Sequence, residues 1–170
     1  MDIQITSLAE SIGRPAIAQV VDAFYTRIGT HPTLSVPFGD VAGWPLHKER
    51  LTHFWWVVLG GARDRDFQYN VSDKHFAHGF THALLADWLL LFENTVRQFL
   101  PASQADAWLD LARRMGEGLA VTNDQMHARR QEDPHAPLHL AYPGTGPDRQ
   151  QTETGADLRP RLEGPPARPA

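Results

Sequence analysis

Apolar residues in this chain recur at three- and four-residue intervals, a spacing that an α-helix gathers onto one face and that a strand would scatter over both of its faces. Leu85, Trp88, Leu89, Phe92, Val96 and Phe99 fall at i, i+3, i+4, i+7, i+11 and i+14. Thr81, just ahead of them, supplies a hydroxyl suited to capping that helix. Ile17, Val20, Val21, Phe24 and Ile28 repeat the pattern, with Pro15 near the start and Gly29 and Pro32 as stop signals. A third stripe, Leu51, Phe54, Trp55, Val58 and Leu59, lies between Pro45 and Gly60-Gly61. The fourth runs through Trp108, Leu111, Met115 and Leu119 after Pro101 and Ser103, weakened locally by Gly116 and Gly118. No segment reads as a strand, and residues 60–74 lack periodicity and read as a loop. The pattern predicts an all-α fold with four principal helices and a short one near residues 7–12.

Composition sets how far that helical domain extends. All five Trp and all eight Phe precede residue 134, whereas the 37 residues from Pro134 onward hold eight Pro and four Gly. A segment so poor in apolar side chains does not offset its chain entropy by burial. The expected organisation is therefore a folded domain over 1–133 and a Pro/Gly-rich, disordered C-terminal tail over 134–170. The formal charge of −4 argues against nucleic acid as a partner. The chain has no cysteine, which excludes disulfides, thiolate zinc sites, iron–sulfur clusters, cysteine nucleophiles and covalent c-type haem. The longest apolar run, Phe54 to Ala62, is about half the length a membrane-spanning helix needs, so no membrane partner is expected. The N-terminus lacks the basic and apolar regions of a secretory signal, which predicts a cytoplasmic protein. Four helices alone suit an antiparallel bundle or a shortened globin, and periodicity does not separate the two.

Nine histidines are the compositional anomaly. His47 lies one turn ahead of Leu51, on the apolar face and away from Lys48, Glu49 and Arg50. His75 follows the aperiodic loop, where a neutral imidazole on a short helix can ligate a haem iron or can simply be a solvated or capping residue. Tyr25 shares a face with Val21 and Ile28, as an ordinary core tyrosine or as a hydroxyl donor facing a pocket. His75, His78 and His82 fall at i, i+3 and i+7, so a continuous helix would present all three to a zinc ion, although Gly79 weakens that helix and no H-E-x-x-H motif completes the site. A further alternative is a non-catalytic helical module that binds a partner through exposed aromatics.

The order of these residues narrows the choice. Phe24-Tyr25, Pro37-Phe38, Trp44-Pro45-Leu46-His47 leading into Phe54-Trp55 and a Val58-Leu59-Gly60 close, then His75 and Trp88-Leu89-x-Leu91-Phe92, with 88 − 75 = 13 residues between histidine and tryptophan, resemble the truncated haemoglobins, specifically their third group. The resemblance covers roughly residues 10–125 and rests on the combination. It implies a truncated globin-like helical fold enclosing a non-covalent haem b, with His75 as the proximal iron ligand and small diatomic ligands (O2, NO, CO) binding opposite. It assigns Tyr25 and Trp88 as distal hydrogen-bond donors, His47 as a distal residue that gates or contacts the ligand, and Phe38, Phe54, Trp55, Leu89 and Phe92 as the lining of the haem pocket. Nitric oxide or peroxide detoxification or redox chemistry, fed by a possible reductase, is the activity the resemblance implies. The chain departs from the family pattern in three places. Phe76-Ala77-His78-Gly79-Phe80-Thr81-His82 stands where a proline-containing turn is expected, leaving His78 as a competing ligand. Phe67 to Ser72 replaces the usual approach to the histidine, and the tail has no counterpart.

Overall fold

The computed structural model describes residues 6–38, 43–69 and 71–135, all within a unit spanning 1–139. Beyond residue 135 the tail expected to be disordered lies outside the described residues. Every regular element described is helical: α1 (Leu8–Ile12), α2 (Arg14–Ile28), a 3-10 turn (Val36–Phe38), α3 (Trp44–Val58), α4 (Val71–Ala77), α5 (His82–Phe99) and α6 (Ala102–Glu132). Among the described residues no helix is long and apolar enough to cross a membrane.

Local chemistry sets the helix ends. Ser7 and Glu10 form a reciprocal capping box at the start of α1, the Ser7 hydroxyl accepting from the Glu10 N–H at 3.2 Å and the Glu10 carboxylate from the Ser7 N–H at 3.0 Å. Gly13, at φ 86°, ends α1 and starts α2 in a conformation that a side chain would strain. Thr81 caps α5 as its sequence predicts, its hydroxyl accepting from Leu84 N at 3.2 Å. Leu59 O accepts from Ala9 N at 2.9 Å, which ties the end of α3 to α1.

α2 and α3 run antiparallel, because partners climb one helix as they descend the other. Tyr25 meets His47, Asp22 binds Lys48 at 2.6 Å, and the Arg14 guanidinium lies 4.6 Å over Trp56. α5 packs on α2 and α6, while α4 packs on α6. The core is an aromatic stack: Trp55 lies parallel to Phe92 at 5.4 Å, and Trp108 abuts both edge-on at 5.5 and 5.6 Å. Ile17, Val20, Val21, Phe24, Ile28 and Val96 close around it.

Three sequence expectations shift. The loop expected over 60–74 ends early, since Val71–Ala77 is helical and carries His75. Phe99, expected on the buried stripe of α5, is 42% exposed, because Arg27 bonds Thr95 and Gln98 there and a polar seam closes that end of the interface. On α6 the buried face is Ala105, Trp108, Leu109, Ala112, Gly116, Ala120, Asn123 and Met126, one position away from the expected line through Leu111, Met115 and Leu119. Gly116 explains the offset: a Cβ there would sit 2.5 Å from Leu85 Cδ1, so the small-residue side of α6 is the side that approaches α5. Gly116 marks a close crossing where the sequence suggested a weak turn.

Candidate functional site

The site starts from how α4 ends. Phe80 N bonds His75 O at 3.0 Å and Gly79 N bonds Phe76 O at 3.2 Å, with Gly79 at φ 70°, the paired closure of a Schellman motif. That motif brings the residue after the glycine back against the last turn, and Phe80 indeed meets the His75 ring edge-on at 5.4 Å. A glycine turn thus replaces the proline turn expected from the resemblance. On its other side the ring donates from Nδ1 to Val71 O at 2.7 Å, since a carbonyl can only accept. This fixes the tautomer and leaves the Nε2 lone pair unengaged, the arrangement a metal-ligating imidazole adopts. Burial lowers the pKa of His75, outweighing the Val71 bond, so the ring is neutral at pH 7.

The start of α3 and the end of α2 gather a second group. Tyr25, Trp44 and His47 lie within 5.6–6.1 Å of one another, ring centre to ring centre. Phe24, edge-on to Tyr25 at 5.1 Å and to Trp88 at 5.0 Å, joins Trp88 to the group. Tyr25 is buried, and desolvation raises its pKa, so the hydroxyl keeps its proton and remains a donor. Burial also lowers the pKa of His47, reinforced by the positive charges of Lys74 and Arg50.

Of the other residues proposed for the lining, Phe54 and Leu89 are half-buried at the edge of the core, whereas Trp55 and Phe92 sit inside the aromatic stack. Phe38 ends the 3-10 turn, and its side chain lies outside the described residues. The zinc alternative fails on geometry. Gly79 breaks the helix between His75 in α4 and His82 at the start of α5, and His78 is exposed in the turn, so no shared face exists. Among the described residues no group of three His, Cys, Asp or Glu side chains is placed to hold a metal ion.

Two residues that sequence reasoning passed over shape this region. Asn123 of α6 donates to Phe80 O at 2.8 Å and so anchors the turn that holds the His75 ring. Its signal was a polar residue in register with the buried line of α6. His53, 3% exposed in the middle of α3, is flanked by Phe67 at 5.4 Å and Tyr69 at 6.1 Å, which pin the aperiodic loop to the helix. Haem is the group the sequence resemblance implies, and the residue types are compatible with it: a tautomer-fixed imidazole with an unengaged Nε2 on α4, and a buried, protonated phenol near the end of α2. No family model, curated protein or solved structure matches the chain.

Proposed function

We propose that this chain is a haem-binding truncated globin of the third group, with His75 as the proximal iron ligand. The observation that carries the reading is the His75 ring: its Nδ1–H is committed to Val71 O, its pKa is lowered by burial, and its Nε2 is left as a lone pair. His78 lacks such support, being exposed in the turn. Haem held by His75 would supply an iron able to bind a diatomic ligand such as O2, NO or CO. The chain's own contribution lies opposite. Tyr25 offers a protonated hydroxyl in an apolar setting, where a hydrogen bond to a partly negative ligand atom is worth about 1–3 kcal/mol. Trp88 is the second donor, and His47, beside Tyr25 and Trp44, gates or contacts the ligand. Three polar groups of this kind favour holding and polarising a ligand, in keeping with nitric oxide or peroxide detoxification or redox turnover supported by a cytoplasmic reductase.

The test is an absorption spectrum of the full chain, as purified and after haem addition, beside His75→Ala. The reading expects a strong Soret band in the parent that is lost or shifted in the variant and restored by added imidazole. A folded parent that takes up no haem, or a variant spectrum identical to the parent's, overturns it.

A further inference from the structure

On the opposite side of α3 from His47, Leu51 and Phe54, at 100° per residue, lie Glu49, Thr52 and His53. They border a cleft of about 360 Å³, within the size range of small-molecule sites. Its remaining walls are Arg14, Pro15 and Ala18 at the start of α2, and Arg65 and Phe67 of the loop after α3. Hydrogen bonds fix where the hydrogens lie. The Tyr69 hydroxyl has one hydrogen and gives it to Arg50 O at 3.2 Å, because a carbonyl can only accept. His53 Nδ1, 2.5 Å from the same hydroxyl, is therefore the donor of that pair, and Nε2 of the neutral ring carries a lone pair. That Nε2 is buried without a hydrogen-bond partner, on a residue only 3% exposed. The polar atom beside it, Asp64 Oδ1 at 3.2 Å, is itself an acceptor. Two acceptors this close repel unless hydrogens are supplied to them from outside. Through Oδ2 the same carboxylate holds Arg14 at 2.9 Å, which puts the two acceptors on the Arg14 side of the His53 ring, the side of the cleft. Thr52 adds another acceptor, since its own hydrogen goes to Lys48 O at 2.8 Å. Charge is balanced, with Arg14 against Asp64 and Arg65 against Glu49 at 3.5 Å.

We propose that this cleft binds a neutral primary carboxamide carried on a flat apolar or aromatic body. The ligand's NH2 group donates one hydrogen to His53 Nε2 and the other to Asp64 Oδ1, and its carbonyl oxygen accepts from Arg14, whose guanidinium has more N–H groups than Asp64 engages. Its body lies against Pro15, Ala18 and Phe67. Asp64 is 51% exposed on the loop, so its side chain is free to turn toward solvent and admit the ligand beside Nε2. The same residues disfavour charged analogues. A carboxylate brings no hydrogen to the two acceptors and sets a second negative charge beside Asp64, whereas an ammonium brings hydrogens but adds a cation beside Arg14 and Arg65. The cleft is independent of the haem reading, because it lies across α3 from His47.

An NMR titration of the full-length protein with benzamide, with benzoate and benzylamine as parallel arms, tests the proposal. A proton–nitrogen correlation spectrum of the histidine rings at neutral pH should first show the His53 hydrogen on Nδ1 and a bare Nε2, whose signal moves as benzamide is added. Saturable benzamide shifts centred on Arg14, Thr52, His53 and Phe67 are expected, with each charged analogue about tenfold weaker. Asp64→Asn should weaken benzamide about tenfold, because the asparagine amide donates to Nε2 itself and the charged acceptor is lost. Ala18→Leu should abolish binding by filling the cleft. A circular dichroism spectrum checks that each variant folds, and either variant carries the test if the other does not. A hydrogen on His53 Nε2, shifts centred on Tyr25, His47 and Trp88, a charged analogue binding as tightly as benzamide, unchanged affinity in a folded variant, or no saturation overturns the proposal.

Discussion

Tyr25 carries the most specific expectation at the residue scale. Its ring is buried among those of Phe24, Trp44 and His47 and its hydroxyl is held protonated, so replacing it by phenylalanine removes a donor without opening much space. On the proposed haem reading, Tyr25→Phe should speed oxygen release by roughly 5- to 150-fold, the equivalent of about 1–3 kcal/mol. Stopped-flow displacement by carbon monoxide measures this directly, and an unchanged rate would remove Tyr25 from the distal side. Individual residues were also where sequence reasoning saw least. His47 and Tyr25 were found because they sit on apolar stripes, but His53 was not. Its burial depends on Phe67 and Tyr69 folding back from a loop, an interaction between residues 14 and 16 positions apart that no local period encodes.

Elements were more legible than their registers. The apolar periods of α2, α3 and α5 are real faces, and the stop and cap residues fall where the helices end. On α6 the sequence misleads, because bulky Leu111 and Met115 look like the buried line whereas close helix packing selects the small residues beside them. Gly116→Ala tests this. Its methyl group would meet Leu85 Cδ1, so the gain in helix propensity should be outweighed and stability should fall by about 1–2 kcal/mol. A denaturant titration of Gly116→Ala, Leu85→Ala and the double variant should show the pair coupling, the double costing less than the sum. The short α4 escaped detection because its seven residues are too few to show a period, and its end is set by the Gly79 turn and an anchor from α6. Asn123→Ala should leave the half-buried Phe80 carbonyl without this partner, costing about 1 kcal/mol, and should loosen the His75 ring. On the proposed haem reading, the readout that separates the second effect from the first is the rate of haem loss to an acceptor protein, which should rise in conditions where the variant remains folded.

For the whole molecule, pH resolves two layers of the same architecture. His75 and His47 both titrate below the ordinary histidine value of 6.5 in the folded chain, chiefly because burial disfavours their charged forms. The unfolded chain therefore binds more protons as pH falls through 6.5, and stability present above that value declines toward the lowered native pKa. Asp64 and Glu93 are shifted below 3.8 and 4.5, first by hydrogen bonds from Arg14 and Arg97 respectively. Their contribution is complete above those values and is lost only at more acidic pH. Urea midpoints of the haem-free chain should therefore decline in two steps, the first below 6.5 and the second below 4.5. A midpoint that is level until the acid step would contradict the burial of the two histidines. The aromatic core has an optical consequence as well. Trp55 lies 6.4 Å from Trp88 in a stacked arrangement and 5.5 Å from Trp108, close enough for their excited states to mix and for excitation to pass between them. The three indoles should behave as one chromophore, giving a split near-ultraviolet dichroism and an emission that dims when any one of them is quenched.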